Sequence, residues 1–142
     1  MADQWGRRLF TWGAIALVVL GLVHSLSLFQ KPVPANDTER QLAQLMSSYR
    51  FNILGSMRTM DNFLRGFSIS FMLSAIGVGA LGLVLRGERP ALLKRIALVN
   101  TLWLAAMTAI SVRYFFAIPT AFLAAALLLF ELAWMMLSKS ES

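Results

Sequence analysis

The sequence predicts an all-α fold, a four-span transmembrane helical bundle with one or two interfacial amphipathic helices between the first and second spans. Of the 142 residues, 58% are hydrophobic and 14% are charged, which is too apolar for a soluble domain of this size. The apolar residues form four runs of about 20 residues, the length at which a helix crosses the hydrocarbon core. The runs lack the alternation of a β-barrel, which is the other structure that lipid admits.

The spans are predicted at about 9–29, 66–85, 96–116 and 119–137, within a single membrane domain of residues 1–142. A cleaved signal peptide is the alternative for span one, because Val33-Pro34-Ala35 resembles a small-x-small cleavage site. The run is longer than the apolar region of an ordinary signal. This length favours a retained helix.

Cationic residues predict the orientation of the spans. Several flank the N-terminus, the short connection between spans two and three, and the C-terminus: Arg7, Arg8, Arg86, Arg89, Lys94, Arg95 and Lys139. Cytoplasmic segments of membrane proteins are enriched in Lys and Arg. We therefore expect both termini in the cytoplasm and the connection between spans one and two outside.

The outer connection, at about 37–65, has amphipathic patterning. Four apolar residues fall at i, i+3, i+4 and i+7, with Asp37 or Thr38 as the predicted N-cap: Leu42, Leu45, Met46 and Tyr49. A second apolar stripe predicts a helix that runs into span two: Ile53, Met57, Met60 and Leu64. Both segments are typical of helices that lie on a membrane surface.

Small residues at helical spacing predict where the spans pack, because lipid provides no hydrophobic force between helices. Span two carries two such series: Gly66, Ser70 and Ser74, and Ala75, Gly79 and Gly82. Spans three and four carry one each: Ala97, Thr101, Ala105 and Ala109, and Ala121 and Ala125.

Ionisable residues within or beside membrane spans are candidates for a functional site. Residue counts from the span ends give four of them a similar depth near the outer boundary: His24, Asp61, Arg65 and Arg113. Two guanidinium groups and a histidine suit an anionic group such as a lipid phosphate. The structural alternative is that Arg113 reaches the headgroups, Asp61 pairs with Arg65, and His24 bonds a backbone carbonyl.

A second polar zone is predicted nearer the inner boundary, where Asn100 and Glu131 share a depth. As structure, the two side chains would form one interhelical hydrogen bond. As function, Glu131 would be a proton or cation site.

Other chemistry is poorly supported by the sequence. The absence of cysteine excludes thiol chemistry, and a single histidine argues against a metal site or paired haem ligands. The cations are scattered between apolar runs, which argues against nucleic acid as a partner of a chain with net charge +6. We expect no cofactor, and no residue is assigned a catalytic role.

Two stretches, Met60-Asp61-Asn62-Phe63-Leu64-Arg65-Gly66-Phe67-Ser68 and Arg113-Tyr114-Phe115-Phe116-Ala117-Ile118-Pro119, are similar to small bacterial four-helix membrane proteins described as DoxX-like. The resemblance covers most of the chain in hydropathy but only these stretches in residues. It implies a four-span bundle in the bacterial inner membrane. It supplies no catalytic residue.

The function expected from these features is non-enzymatic binding of a lipid-like or anionic amphipathic ligand, or of a membrane partner such as a second copy. A membrane-embedded enzyme that acts on a lipidic substrate, with His24 and Asp61 as acid and base, is one alternative. A small proton-coupled transporter that uses Glu131 is another. No paired broken helices support the transporter.

Overall fold

A computed structural model describes residues 2–30 and 33–139. The elements in chain order are α1 (Ala2–Ser27), α2 (Asp37–Ser48), β1 (Phe51–Ile53), β2 (Ser56–Arg58), α3 (Met60–Leu85), α4 (Pro90–Tyr114) and α5 (Ala117–Lys139). Of these, α1, α3, α4 and α5 are long and apolar enough to cross a membrane. The predicted all-α bundle with four membrane-spanning helices is therefore confirmed.

The spanning helices extend beyond the apolar runs at most of their ends. Helix α1 begins at Ala2 and α3 at Met60, several residues before the predicted spans. The start of α3 is fixed by a capping box, in which the Asn62 amide donates to the Thr59 hydroxyl and the Thr59 amide donates to the Asn62 side chain. Hydropathy detects only the part of a helix that matches the hydrocarbon, whereas the hydrogen-bonded helix continues into the polar layer.

The first amphipathic helix is confirmed as α2, although its predicted N-cap is wrong. Asn36 caps the helix, because its side chain accepts a hydrogen bond of 2.9 Å from the Glu39 amide. The Glu39 carboxylate in turn accepts from the Ala35 amide at 2.7 Å. This reciprocal arrangement satisfies amides before and after the helix start, which neither Asp37 nor Thr38 does.

The second amphipathic helix is wrong over residues 51–58, which form the antiparallel hairpin β1–β2. Leu54 and Gly55 form its two-residue turn, with φ angles of 47° and 84°. Such a turn matches the twist of paired strands, and the Gly55 amide also donates to the Asn52 side chain at 2.9 Å. Ile53 and Met57 therefore do not share a helical face with Met60 and Leu64, which belong to α3.

The spanning helices are arranged in the order α3, α1, α5, α4. Helix α1 packs along both α3 and α5, and α5 packs along α4, whereas α3 and α4 make hardly any contact. The core lies mainly between α1, α4 and α5, where the Phe10 and Phe130 rings meet edge to face at 5.4 Å. Helix α3 is thus held to the bundle through α1.

Some of the predicted small-residue series are buried between helices, and others are exposed. Ala75, Gly79 and Gly82 are buried where α3 meets α1, which confirms that series as a seam. The series Gly66, Ser70 and Ser74 lies on the opposite face of α3 and is exposed, so that prediction is wrong. Ala97 is buried in α4, but four predicted seam residues are exposed: Ala105, Ala109, Ala121 and Ala125. These exposed small residues lie on helix faces that no other described element covers, so they have nothing to pack against.

The two ends of the bundle carry different connections. Gly6 packs against Leu137, and the Arg7 guanidinium donates to the Arg86 carbonyl at 3.4 Å. The start of α1, the end of α5 and the α3–α4 connection therefore meet at one end, which we call the basic end. The opposite end, which we call the hairpin end, carries α2, the hairpin and the α4–α5 turn.

Candidate functional site

A groove of about 540 Å³ opens at the hairpin end between the end of α1 and the start of α3. Its α1 side consists of Ser27 and the three residues that follow: Leu28, Phe29 and Gln30. Its α3 side consists of Asp61, Leu64, Arg65 and Ser68. We call this feature the α1–α3 groove.

The groove exists because α3 extends farther than α1 at the hairpin end. Gly21 of α1 packs against Met72 and Ile76 of α3, and α1 then ends at Ser27. Residues 60–66 of α3 therefore extend roughly 10 Å beyond the end of α1, at ~1.5 Å per residue. The α3 residues of the groove fall at i, i+3, i+4 and i+7, on the face that packs against α1 farther along the helix.

Asp61 and Arg65 lie one helical turn apart in the groove, and both are exposed. The ion pairs of the described residues join Arg7 to Asp3 and Arg40 to Asp37, and none joins Asp61 to Arg65. Neither side chain forms a hydrogen bond with another described residue. The groove thus presents a carboxylate and a guanidinium that are both available to a ligand.

His24 lies at the inner edge of the groove. Its ring meets the Phe71 ring edge to face at 4.9 Å and lies beside the Ser68 backbone, so the imidazole faces α3. The Nε2 atom is buried and has no hydrogen-bond partner among the described residues. Ser68 connects His24 to the groove, because the same residue lines the groove and contacts the imidazole.

Arg113 lies apart from the other three predicted residues. It is at the end of α4 that lies at the hairpin end of the bundle, it is not on a helix that packs against α3, and it does not line the α1–α3 groove. Its guanidinium carbon lies 5.8 Å from the centre of the neighbouring Tyr114 ring. The structure therefore brings His24, Asp61 and Arg65 to one region and leaves Arg113 outside it. The sequence prediction grouped these residues by their depth along each helix, and depth does not determine which helices are neighbours.

The second polar zone lies in the seam between α4 and α5. The Ser111 and Thr120 hydroxyls share a hydrogen bond of 2.7 Å across this seam. Asn100 lies about three turns before Ser111, and Glu131 about three turns after Thr120, so they occupy the same faces at a common depth. Asn100 is buried and Glu131 half-buried, but no hydrogen bond joins them among the described residues.

A second groove, of about 420 Å³, lies on the other side of α3 beside the hairpin. Its lining combines aromatic, small and polar residues: Arg58, Asn62, Phe63, Gly66, Phe67 and Ser70. The Phe51 and Phe63 rings stack at 5.6 Å and connect β1 to α3. The sequence interpretation missed this groove, because it assigned Gly66 and Ser70 to a helix seam and residues 53–58 to a helix.

No group of three or more His, Asp or Glu residues within the described ranges could hold a metal ion. Comparison of the chain with protein-family models, with curated proteins and with solved structures finds no match.

Proposed function

We propose that this chain is a non-enzymatic, multi-pass protein of the bacterial inner membrane that binds a lipid-like ligand with an anionic head group in the α1–α3 groove. The DoxX-like resemblance belongs to the same proposal, since it implies that envelope location. The ligand class follows from the position of the groove and from the chemistry of its lining. A second copy or another membrane protein would be an additional partner.

Arg65 is the observation that carries the proposal. Its guanidinium lines a groove at the hairpin end and has no partner among the described residues. Guanidinium groups bind phosphate oxygens through paired, charge-assisted hydrogen bonds.

The depth of the groove fits a lipid head group. The apolar part of α1 ends beside it, and the exposed side chains of Leu64 and Phe29 flank the charged residues. The charged head group of such a ligand would bind Arg65. Its apolar tail would lie along the lipid-facing surface of the helices.

The enzyme alternative has weaker support. His24 and Asp61 form no hydrogen bond with each other, and the imidazole is packed against Phe71. A general acid or base needs hydrogen-bond reach to its substrate. The transporter alternative rests on Glu131 alone, which is half-buried and forms no hydrogen bond with Asn100.

A lipid titration of delipidated protein in mild detergent tests the proposal. We expect phospholipid to raise the Tm of the wild type, by the equivalent of about 2.7 kcal/mol when the lipid is at 100 times its Kd. Arg65→Gln should abolish this rise, and Arg65→Lys should retain part of it. Because Arg65 is exposed and unpaired, neither variant should lower the Tm measured without lipid.

Arg113→Gln is the matched control, since it removes an exposed arginine at the same end but outside the groove. It should respond to phospholipid as the wild type does. A full response in Arg65→Gln, or an equal loss in both variants, would contradict binding in the α1–α3 groove.

A further inference from the structure

We infer that the α1–α3 groove selects zwitterionic head groups in which a primary ammonium stands beside a phosphate, as in an aminophospholipid. This inference rests on the proposed function and specifies its ligand. The observation behind it is the Asp61 carboxylate in the groove, which has no role in binding a phosphate group alone.

The groove contains charges of both signs. Asp61 and Arg65 lie one turn apart on α3, with Cβ atoms about 5–6 Å apart at this spacing, and they do not pair with each other. A head group with only negative charge would bind Arg65 but would face repulsion from Asp61. A zwitterion brings its ammonium group to the Asp61 carboxylate and its phosphate group to the Arg65 guanidinium. The short link between phosphate and ammonium in ethanolamine phosphate is comparable to the spacing of these two residues.

The end of α1 adds negative potential to one side of the groove. The helix ends at Ser27, and its last carbonyls, of Ser25, Leu26 and Ser27, accept hydrogen bonds of 3.1 to 3.3 Å from the turn that follows. Carbonyls at a helix C-terminus carry the negative end of the dipole and retain a second lone pair. This side of the groove therefore favours a cation that can donate hydrogen bonds.

The lining of the groove thus offers separate partners for the two charges of a zwitterion. The C-terminus of α1 and the Asp61 carboxylate favour the ammonium group. The Arg65 guanidinium favours the phosphate group. An ammonium with N–H donors fits this arrangement better than a quaternary one, because carboxylate and carbonyl oxygens are both acceptors.

Native mass spectrometry of protein extracted from mixed vesicles tests the inference. The vesicles contain equal amounts of phosphatidylethanolamine, phosphatidylcholine and phosphatidylglycerol with identical acyl chains. We expect the wild type to retain phosphatidylethanolamine over phosphatidylglycerol by roughly tenfold, which corresponds to one charge-assisted hydrogen bond. Phosphatidylcholine, whose cation has no N–H donor, should be retained less than phosphatidylethanolamine.

Asp61→Asn should reduce the preference for phosphatidylethanolamine to near equality with phosphatidylglycerol. Asp37→Asn is the matched control, because Asp37 is an exposed acid at the same end that pairs with Arg40 outside the groove. It should keep the wild-type preference. Loss of the preference in Asp61→Asn alone supports the assignment.

The outcomes separate this inference from the proposal on which it rests. Retained lipid without head-group preference in the wild type overturns the zwitterion assignment and leaves phosphate binding intact. Equal retention of phosphatidylcholine and phosphatidylethanolamine overturns the requirement for a primary ammonium. The absence of retained lipid in the wild type overturns lipid binding in the groove as well.

Discussion

Gly79 of α3 lies so close to Ala14 of α1 that a Cβ atom at residue 79 would come within 2.7 Å of the Ala14 carbonyl oxygen. The same Cβ would lie 2.9 Å from the Val18 backbone nitrogen. Backbone atoms cannot rotate away as a side chain does, so any residue larger than glycine would force the two helices apart. This contact matters because α3 is held to the bundle through α1.

We predict that Gly79→Ala lowers the free energy of unfolding by about 1–3 kcal/mol, the usual cost of overpacking a close contact. Gly77→Ala is the control, because Gly77 lies on the same helix with open space around it. That variant should be as stable as the wild type or up to about 1 kcal/mol more stable, because alanine favours the helix over glycine. Denaturant titration in detergent measures both values, and equal stabilities of the two variants would show that α1 and α3 do not approach this closely.

Asn100 tests the seam between α4 and α5. The residue is 8% exposed, and its side chain forms no hydrogen bond with another described residue. Because an amide without a hydrogen bond is unfavourable at a largely buried position, we predict that Asn100→Leu raises the free energy of unfolding by about 1 kcal/mol. Ser111→Ala should instead lower it by roughly 0.6 kcal/mol, since that hydroxyl bonds Thr120.

Loss of stability in Asn100→Leu would contradict this account. If Glu131→Gln then produced the same loss, and the double variant no further loss, Asn100 and Glu131 would be hydrogen-bonded as the sequence interpretation allowed. The same denaturant titrations give the three values.

The hairpin turn offers a third prediction. Leu54 adopts a φ of 47°, which side chains other than Asn and Asp rarely tolerate, and it is fully exposed. Leu54→Asn should therefore slow hydrogen exchange of the hairpin amides by about two- to fivefold, and Gly55→Ala should accelerate it. Exchange measured by mass spectrometry checks both. Unchanged exchange in both variants would show that the turn does not hold these φ angles.

The orientation of the bundle provides a fourth prediction. The basic end carries both described ends of the chain and the α3–α4 connection, and the positive-inside rule places such an end in the cytoplasm. A phosphatase reporter fused after Ser142, which is active only in the periplasm, should be inactive. The same reporter inserted at Gly55, in the hairpin turn, should be active. The reverse pattern would invert the topology and place the α1–α3 groove on the cytoplasmic side.

The sequence predicted the fold through hydropathy, since lipid imposes a length and a composition on each span. It predicted α2 because apolar residues at i, i+3, i+4 and i+7 share one face of a helix but not one face of a strand. The stripe of Ile53 and Met57 was misleading, because four-residue spacing also occurs by chance in a short hairpin. The turn signal was present in Asn52 and Gly55, whose side-chain and φ preferences favour a turn over a helix.

The candidate site was predictable only in part. Depth along each helix grouped His24, Asp61 and Arg65 with Arg113, but depth does not determine which helices are neighbours. The order α3, α1, α5, α4 separates Arg113 from the groove. The groove itself depends on where α1 ends relative to α3, and that offset follows from the packing of Gly21 and Gly79 rather than from any local pattern.

Photo-crosslinking from single cysteines tests lipid binding in the α1–α3 groove most directly, because the chain contains no native cysteine. Ser68→Cys places a benzophenone label in the groove, and Ser70→Cys places it at nearly the same depth on the opposite side of α3. After extensive washing in detergent, we predict phospholipid adducts at residue 68 that Arg65→Gln removes, and few adducts at residue 70. Equal adducts at both residues, or adducts at residue 68 that persist in Arg65→Gln, would contradict a phosphate-binding groove.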